Sequence, residues 1–387
     1  MDNKMKHVLL IDSFRSHNTM AYVCFTNGFI PIHLFSSKKT FEDSFFSVAG
    51  NYFAKCFIYE TAEQFLENIK EYKDTLQFVF GCTDGSQRLK DTIDSLLNLD
   101  NKNNSKFAAV RYNKFELYKL LDQPSADSDF EKFKQQYGDC IVKPTLIEQS
   151  GGCEDVEFVN DVSKVVTKDG LFISKFFEGD EYAVDLVSCE GKHKLVSVWR
   201  YVRQSDEKVW KDKVELMSFE EDPVLITQMY KVVTDWLDRI DHKFGPTHIE
   251  LKHRNGEFFC IEINFRLNGH MAYQALARAL EYNQADLTRD CYTEKSKFDG
   301  ELIAYRIRGY IFRIYFLNDR VRKYSDIPWN KIESSPSVVT VYKHVWPWSD
   351  VEVSKKTYAS STAIIIMYCT DKITLIKHEQ MLRELFK

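Results

Sequence analysis

The sequence predicts an α/β (α+β) protein, with a parallel sheet at its N-terminus and a β-rich C-terminal stretch. Three observations support this. Over the first hundred residues, short apolar runs alternate with helical patterns, the order that builds a parallel sheet. Near residues 247–266, two strands of alternating apolar and polar residues flank Arg254-Asn255-Gly256-Glu257, a hairpin signal. Beyond Gly300, apolar β-rich runs recur at Tyr305–Leu317, Val338–Trp346 and Thr362–Tyr368.

Taken in order, Val8–Ile11 is a first strand and Thr19–Thr26 a helix closed by Asn27-Gly28. Ile30–Phe35 is a second strand, helical material lies near Ala62–Tyr72, and Gln77–Phe80 is a third strand before the amphipathic helix Ser86–Leu97. Asp12-Ser13 and Cys82-Thr83-Asp84 follow carboxyl ends of strands, where open sheets bind ligands, although no G-x-G-x-x-G accompanies them. Polar Asp100–Lys106 reads as a linker. A helix follows at Lys114–Leu121, then the strand Cys140–Pro144, the glycine-containing loop Ile147–Gly152 and the strand Gly170–Phe177. Glu178-Gly179-Asp180 turns into Glu181–Val187, which pairs with Leu195–Val202 through Glu190-Gly191. Pro223–Phe244 is a long amphipathic helix, and His378–Phe386 a terminal one. No internal repeat is evident.

With 387 residues, 44% of them hydrophobic, the chain can bury the cores of two or three domains. Twenty-nine Phe and 20 Tyr exclude a disordered chain. A net charge of −5 gives no support for nucleic-acid binding, which needs a basic face. The N-terminal apolar stretch is too short for a signal sequence, and no apolar run approaches the ~20 residues that span a bilayer. Nine scattered cysteines without C-x-x-C spacing read as reduced thiols of a cytoplasmic protein.

The chemistry concentrates in Cys260-Ile-Glu-Ile-Asn-Phe-Arg266. On a strand, Glu262, Asn264 and Arg266 share one face, while Ile261, Ile263 and Phe265 share the other. Upstream, Thr247-His-Ile-Glu-Leu-Lys252 presents Glu250 between Ile249 and Leu251. Two carboxylates, an amide oxygen and a guanidinium suit a hard divalent cation that also touches phosphate. The bland alternative is an amphipathic hairpin with a solvated polar face. For Glu250 and Glu262 to share a face, the loop must hold an odd number of residues or a bulge must intervene, and Asn-Gly suits a bulged turn. His248-x-Glu250-x-x-His253 looks zinc-like, but a strand points His248 and His253 to opposite faces.

These pieces resemble the ATP-grasp superfamily across roughly Lys114 to Leu280. The resemblance is an ordered series: a lysine in Arg111-Tyr-Asn-Lys114, another in Ile-Val-Lys143-Pro, a Ser-Gly-Gly loop, Phe172-Ile-Ser-Lys-Phe-Phe177, Gly179-Asp-Glu181-Tyr, and the Glu250 … Glu262-x-Asn264-x-Arg266 hairpin. Gly245-Pro-Thr-His-Ile-Glu250 and Cys82-Thr-Asp-Gly-Ser86 are further similar to carboxylate–amine ligases of the L-amino-acid ligase type. Asn113 replaces a commoner aspartate, and Asp84 stands where glutamate is frequent, which puts substrate identity in doubt. The resemblance implies a Rossmann-like N-terminal domain over 1–106, an ATP-grasp domain of two subdomains over 107–298, and a β-rich C-terminal subdomain over 299–387.

It also implies roles. Lys114 and Lys143 would contact ATP phosphates, and Ser150, Gly151 and Gly152 would form a lid whose backbone approaches the triphosphate. The backbone of Lys175, Phe176 and Phe177 would meet the adenine edge, and Glu181 the ribose. Glu250, Glu262 and Asn264 would bind Mg2+, for which Mn2+ substitutes, and Arg266 would be catalytic. Asp84, Arg200, Asn268 and Gly269 are candidate substrate contacts, with Arg203 and Lys213 as further basic candidates and His270 as a cap. The implied activity joins a small carboxylic acid, an amino acid first of all, to an amine, with ATP split to ADP and phosphate. Ammonia, bicarbonate or a peptide amine as nucleophile, and a non-catalytic ATP-binding scaffold, are the alternatives. A homodimer is the commonest prior for quaternary structure.

Overall fold

The computed structural model describes residues 5–13, 19–45, 55–146, 157–159, 170–202, 212–269, 272–303, 305–354 and 361–386. Ser150, Gly151, Gly152, Arg203 and His270 therefore lie outside the described residues.

The N-terminal apolar runs assemble as predicted. Strands β1 (Lys6–Ile11), β2 (Phe29–Phe35), β3 (Lys55–Ile58) and β4 (Leu76–Gly81) form a parallel sheet in the order β3-β2-β1-β4. Helices α1 (Thr19–Thr26), α2 (Lys38–Phe45) and α3 (Ala62–Ile69) are the crossovers, and α4 (Gln87–Leu97) follows β4. Strand β3 and helix α2 were not predicted. Only Phe57 of β3 is buried, as befits a short edge strand, so there was little alternation to read.

A second, antiparallel sheet has the order β5-β8-β6-β7, from β5 (Ser125–Ala126), β6 (Cys140–Pro144), β7 (Glu157–Val159) and β8 (Leu171–Lys175). Helices α5 (Lys114–Leu120) and α6 (Phe130–Tyr137) accompany it, and Phe130, Phe133, Cys140, Val142 and Ile173 make its small core.

The largest layer is an eight-stranded sheet, paired antiparallel throughout. It contains β9 (Asp180–Cys189), β10 (Lys192–Val202), β11 (Lys213–Leu216), β12 (Phe244–Arg254), β13 (Glu257–Asn264) and β14 (Tyr310–Phe316). Beyond the small ladder β15 (Arg322–Lys323) with β17 (Asp350–Val351), it is completed by β16 (Val338–Lys343) and β18 (Ala363–Cys369). The order is β13-β12-β9-β10-β11-β14-β18-β16, so the C-terminal strands extend the sheet that carries the acidic hairpin. Helix α7 (Pro223–Arg239) packs on β9 and β10. It is followed along the chain by α8 (Tyr273–Ala279), α9 (Gln284–Thr293), α10 (Trp329–Glu333) and α11 (Lys372–Glu384). Two helix boundaries differ from expectation. Helix α7 stops at Arg239 because Asp241 takes a left-handed φ of 49° and Phe244 already belongs to β12. Helix α11 starts earlier than predicted, where the Asp371 side chain accepts a hydrogen bond from the Thr374 amide.

Paired residues on neighbouring strands share a face of the sheet. The register therefore puts three rows on one face: Glu262–Glu250–Ala183–Trp199, Asn264–His248–Asp185–Ser197, and Lys252–Glu181–Tyr201–Val214–Arg313.

The predicted linker is instead a clasp. The buried Asn103 side chain donates to the Phe244 carbonyl (2.9 Å) and accepts from the Lys243 and Phe244 amides (2.8 and 2.9 Å), while Asn104 donates to Asp241 (2.8 Å). The polar composition that mimics a flexible segment here satisfies backbone groups at the start of β12. Among the described residues eight cysteines are free, and no helix is long and apolar enough to cross a membrane. Asn103→Ala removes three hydrogen bonds to the backbone of Lys243 and Phe244, two of them buried. It should cost about 2–4 kcal/mol of stability, read from urea unfolding followed by fluorescence.

Candidate active site on the acidic hairpin

The turn between β12 and β13 has two central residues, Asn255 and Gly256, both at positive φ (52° and 83°), with Arg254 paired to Glu257. An even loop of this kind would put Glu250 and Glu262 on opposite faces. A bulge prevents it: Leu251 pairs with Cys260 but Glu250 pairs with Glu262, leaving Ile261 as the extra residue. The bulge lies along β13, not in the turn where it was expected. Its consequence is that the two acids face each other directly, with His248 and Asn264 as the next pair.

The bulge is also an anchoring point. The Ile261 carbonyl accepts the hydroxyl of buried Tyr118 on α5 (3.0 Å), and that hydroxyl accepts from Lys143 Nζ on β6 (2.6 Å). One turn earlier on α5, Lys114 Nζ lies 2.7 Å from Glu262 Oε2. Asn113 caps this helix by accepting from the Glu116 amide (3.0 Å), so the Asn that replaces the commoner aspartate still fixes the start of α5. Both predicted lysines thus reach the hairpin.

Their charges differ. Burial alone would discharge Lys114, but Glu262, with Asp84 and Glu250, outweighs it and raises its pKa. For Lys143, burial and the Lys114 charge win, bringing the pKa down to about 7. Burial opposes ionisation of Glu262, yet Lys114 and the hydrogen bond from Asn264 Nδ2 (2.7 Å) hold it below the ordinary carboxylate value.

Glu250 is held from the other side. Tyr201 donates to its Oε1 at 2.6 Å, and His248 Nε2 lies 3.5 Å from the same oxygen. His248 Nδ1 is 2.7 Å from Asp185 Oδ1. Burial disfavours the imidazolium, but the two carboxylates outweigh it and raise His248 to about 9. The zinc-like spacing is not a metal site: His253 lies against Phe258 with centroids 4.6 Å apart, away from His248.

Arg266 follows the hairpin and donates from Nε to Asp84 Oδ2 (2.8 Å) and from Nη1 to the Leu267 carbonyl (2.9 Å). Asp84 follows β4, so the carboxyl end of the first sheet meets the open end of the hairpin, just past β13, through an ion pair. Asn268 donates to Asp185 Oδ2 (3.0 Å), and the Gly269 carbonyl accepts from Arg313 Nη1 (2.8 Å).

The adenine-side segment is partly committed to internal bonds. The Lys175 and Phe176 amides donate to Pro124 and Asp139 carbonyls (3.2 and 2.8 Å), and the Phe177 carbonyl accepts from Lys252 Nζ (2.8 Å). Lys252 also sits over the Phe176 ring at 4.2 Å, and Phe177 stacks on Phe259. Buried Glu181 lies in the row between Lys252 and Tyr201. Gly179, in the connecting turn, cannot carry a side chain: a Cβ there would lie 2.5 Å from the His253 carbonyl oxygen.

Arg200 requires a correction. It pairs with Tyr182, which pairs with Leu251, so it occupies the face opposite Glu250 and bonds Glu215 Oε2 at 2.6 Å. Lys213 shares that face, bonded to Glu215 and Glu379 (2.8 and 2.9 Å). Neither joins the hairpin site. Tyr118, Asp185, Tyr201, His248, Lys252 and Arg313 do, and were not assigned from sequence. Strand alternation in Glu181-x-Ala183-x-Asp185 and Ser197-x-Trp199-x-Tyr201 carried the signal, but only the register shows which parity faces the acids.

Among the described residues, no three His, Cys, Asp or Glu side chains are grouped to hold a metal. The opposed Glu250 and Glu262 with Asn264 make an all-oxygen set with only two carboxylates. That fits Mg2+, which keeps waters and takes substrate phosphate oxygens, better than an ion needing a full protein cage.

Residues 158–274, spanning the hairpin, match the ATP-grasp domain family. The chain carries an ATP-grasp domain. It is 20% identical over 340 residues to dapdiamide A synthase of Enterobacter agglomerans, covering 79% of this chain and 77% of that protein. The ATP-grasp fold extends along the chain: an L-amino acid ligase from Bacillus licheniformis superposes with TM-score 0.77 at 14% identity, covering 98% and 96% of the two chains. N5-carboxyaminoimidazole synthetase from Staphylococcus aureus, complexed with ADP, gives 0.69 at 12% identity over the whole of both chains. The proteins named here are a synthase, a ligase and a synthetase, and the chain shares the fold of the two solved structures.

A phosphate brought to Lys143 restores its charge, so nucleotide binding should take up a proton above pH 7 and weaken as pH rises. Calorimetry of ADP binding at pH 8, in buffers of different ionisation enthalpy, should read uptake of up to about one proton. Lys143→Met should abolish that uptake.

Proposed function

We propose that this chain is an ATP-dependent carboxylate–amine ligase that forms an amide bond through an acyl phosphate. The observation that carries the reading is the meeting of two buried lysines, two opposed carboxylates and Arg266 at one hairpin. A solvated polar face would not bury Lys114 against Glu262 or spend Tyr118 on the bulge.

In this reading Lys114 and Lys143 meet the phosphates of ATP, Ser150-Gly151-Gly152 covers them with backbone N–H groups, and Glu181 accepts from the ribose. The backbone around Phe177 borders the adenine. Glu250, Glu262 and Asn264 would hold magnesium, which when bound supplies charge neutralisation at the triphosphate. A substrate carboxylate oxygen attacks the γ-phosphorus, the bond to the β–γ bridging oxygen breaks, and ADP leaves. The amine nitrogen then adds to the acyl carbon, loses a proton, and expels inorganic phosphate. Arg266 stabilises the phosphoryl group in transfer and then the oxyanion of the adduct. Positioning and charge suffice, so no protein nucleophile is required.

Amino acids as substrates draw support from the names of the L-amino acid ligase and of dapdiamide A synthase, and from Asp84 beside Arg266 as a place for an ammonium group. ADP release measured over amino acids singly and in pairs tests this: turnover should require two amino acids. Turnover with one acid and bicarbonate or ammonia would replace the amine, and ADP binding with no turnover would overturn the ligase. Arg266→Ala should keep its fold and lose about 3 kcal/mol of transition-state stabilisation, roughly a hundredfold in rate.

A further inference from the structure

Glu250 and Glu262 are direct cross-strand partners, an arrangement that like charges disfavour. Lys114 and Asn264 restrain Glu262, so something must equally restrain Glu250. Its Oε1 receives Tyr201 from β10 and His248 from its own strand. Behind His248 stands Asp185 on β9, wholly enclosed, whose Oδ1 takes His248 Nδ1. Asp185 Oδ2 takes Ser197 Oγ (2.7 Å), Trp199 Nε1 (2.6 Å) and Asn268 Nδ2 (3.0 Å). Both ring nitrogens of His248 face carboxylate oxygens, so the ring cannot turn without losing one of them.

We propose that Asp185, His248 and Tyr201 are positioning residues that aim the Glu250 carboxylate for divalent-cation binding, with Asp185 setting the Asn268-Gly269 turn behind Arg266 at the same time. The proposal rests on the metal role given to the hairpin above. Partners that hydrogen-bond a ligating carboxylate fix its orientation, and a buried group with all its lone pairs engaged is a rigid reference point. Asp185 meets that description: four donors from two strands and one turn converge on it. It touches neither acid of the hairpin in these contacts and acts only through His248 and Asn268. The placement explains why a carboxylate is buried in the middle of the sheet, where an apolar residue would pack at lower cost.

The test uses the full chain, with Mn2+ as probe, ADP present, and free Mn2+ read by electron paramagnetic resonance. Calorimetry of ADP binding without metal runs alongside. Asp185→Asn and Tyr201→Phe should weaken Mn2+ binding by about tenfold or more while metal-free ADP affinity stays within about twofold. His248→Gln keeps a donor towards Glu250 and should bind Mn2+ better than His248→Leu. Wild-type Mn2+ affinity in folded Asp185→Asn and Tyr201→Phe overturns the proposal, as does an equal loss of metal-free ADP binding, which would mark a general structural role. Should Asp185→Asn fail to fold, Tyr201→Phe, which removes one hydroxyl, decides alone. Glu262→Gln separates the two levels: undiminished Mn2+ binding there overturns the metal reading itself, whereas its loss beside unaffected Asp185 and Tyr201 variants overturns only the positioning.

Discussion

One extra residue in one strand sets the geometry of the whole site. The Asn255-Gly256 turn alone would send Glu250 and Glu262 to opposite sides of the sheet; the bulge at Ile261 returns them to one row and turns its own carbonyl towards Tyr118. Through Tyr118 the same bulge reaches Lys143, and through Glu262 it reaches Lys114. A register without it would present Ile263 where Asn264 now stands and would turn Glu262 alone to the apolar side, away from Glu250.

The electrostatics follow from that crowding. Lys114, Lys143, His248 and Arg266 are gathered with Glu250, Glu262, Asp84 and Asp185 in a region largely withdrawn from water. Apart from Lys143, each ion has an opposite charge close by; Lys143, whose contact is a phenol, is the cation whose proton is least secure. A polyanion entering such a site displaces internal pairings. In the proposed function Lys114 would exchange Glu262 for phosphate and Arg266 would share its guanidinium with something other than Asp84, so these ion pairs are what substrates would compete with.

Strand alternation makes much of this legible in the sequence. Glu262 and Asn264 on one side of β13 follow from the period of two, whereas Arg266 lies past the strand's end, and parity required a bulge or an odd loop. Arg200 shows where such reasoning stops. Its strand was recognised, but which side it faces depends on pairing through Tyr182 to Leu251, a relation between distant segments that no local pattern encodes. Asp185 and Tyr201 were missed for the same reason. Asp100–Lys106 failed differently: its polarity was read as solvation, although Asn103 and Asn104 spend their polar groups on Phe244 and Asp241. Tyr118, one aromatic among many, carried no mark of its double hydrogen bond.

The eight-stranded sheet runs unbroken from the acidic hairpin to the last strand of the chain, whereas β5–β8 form a separate ladder. The described contacts joining that smaller sheet and α5 to the hairpin run through side chains, such as Lys252 to the Phe177 carbonyl, Tyr118 to the Ile261 carbonyl and Lys114 to Glu262. A continuous hydrogen-bonded sheet resists bending at any one seam, while a few side-chain contacts yield cheaply. The joint between the piece bearing Lys143 and the sheet that holds the acids, Arg313 and the C-terminal strands is therefore held by side chains alone among the contacts named here.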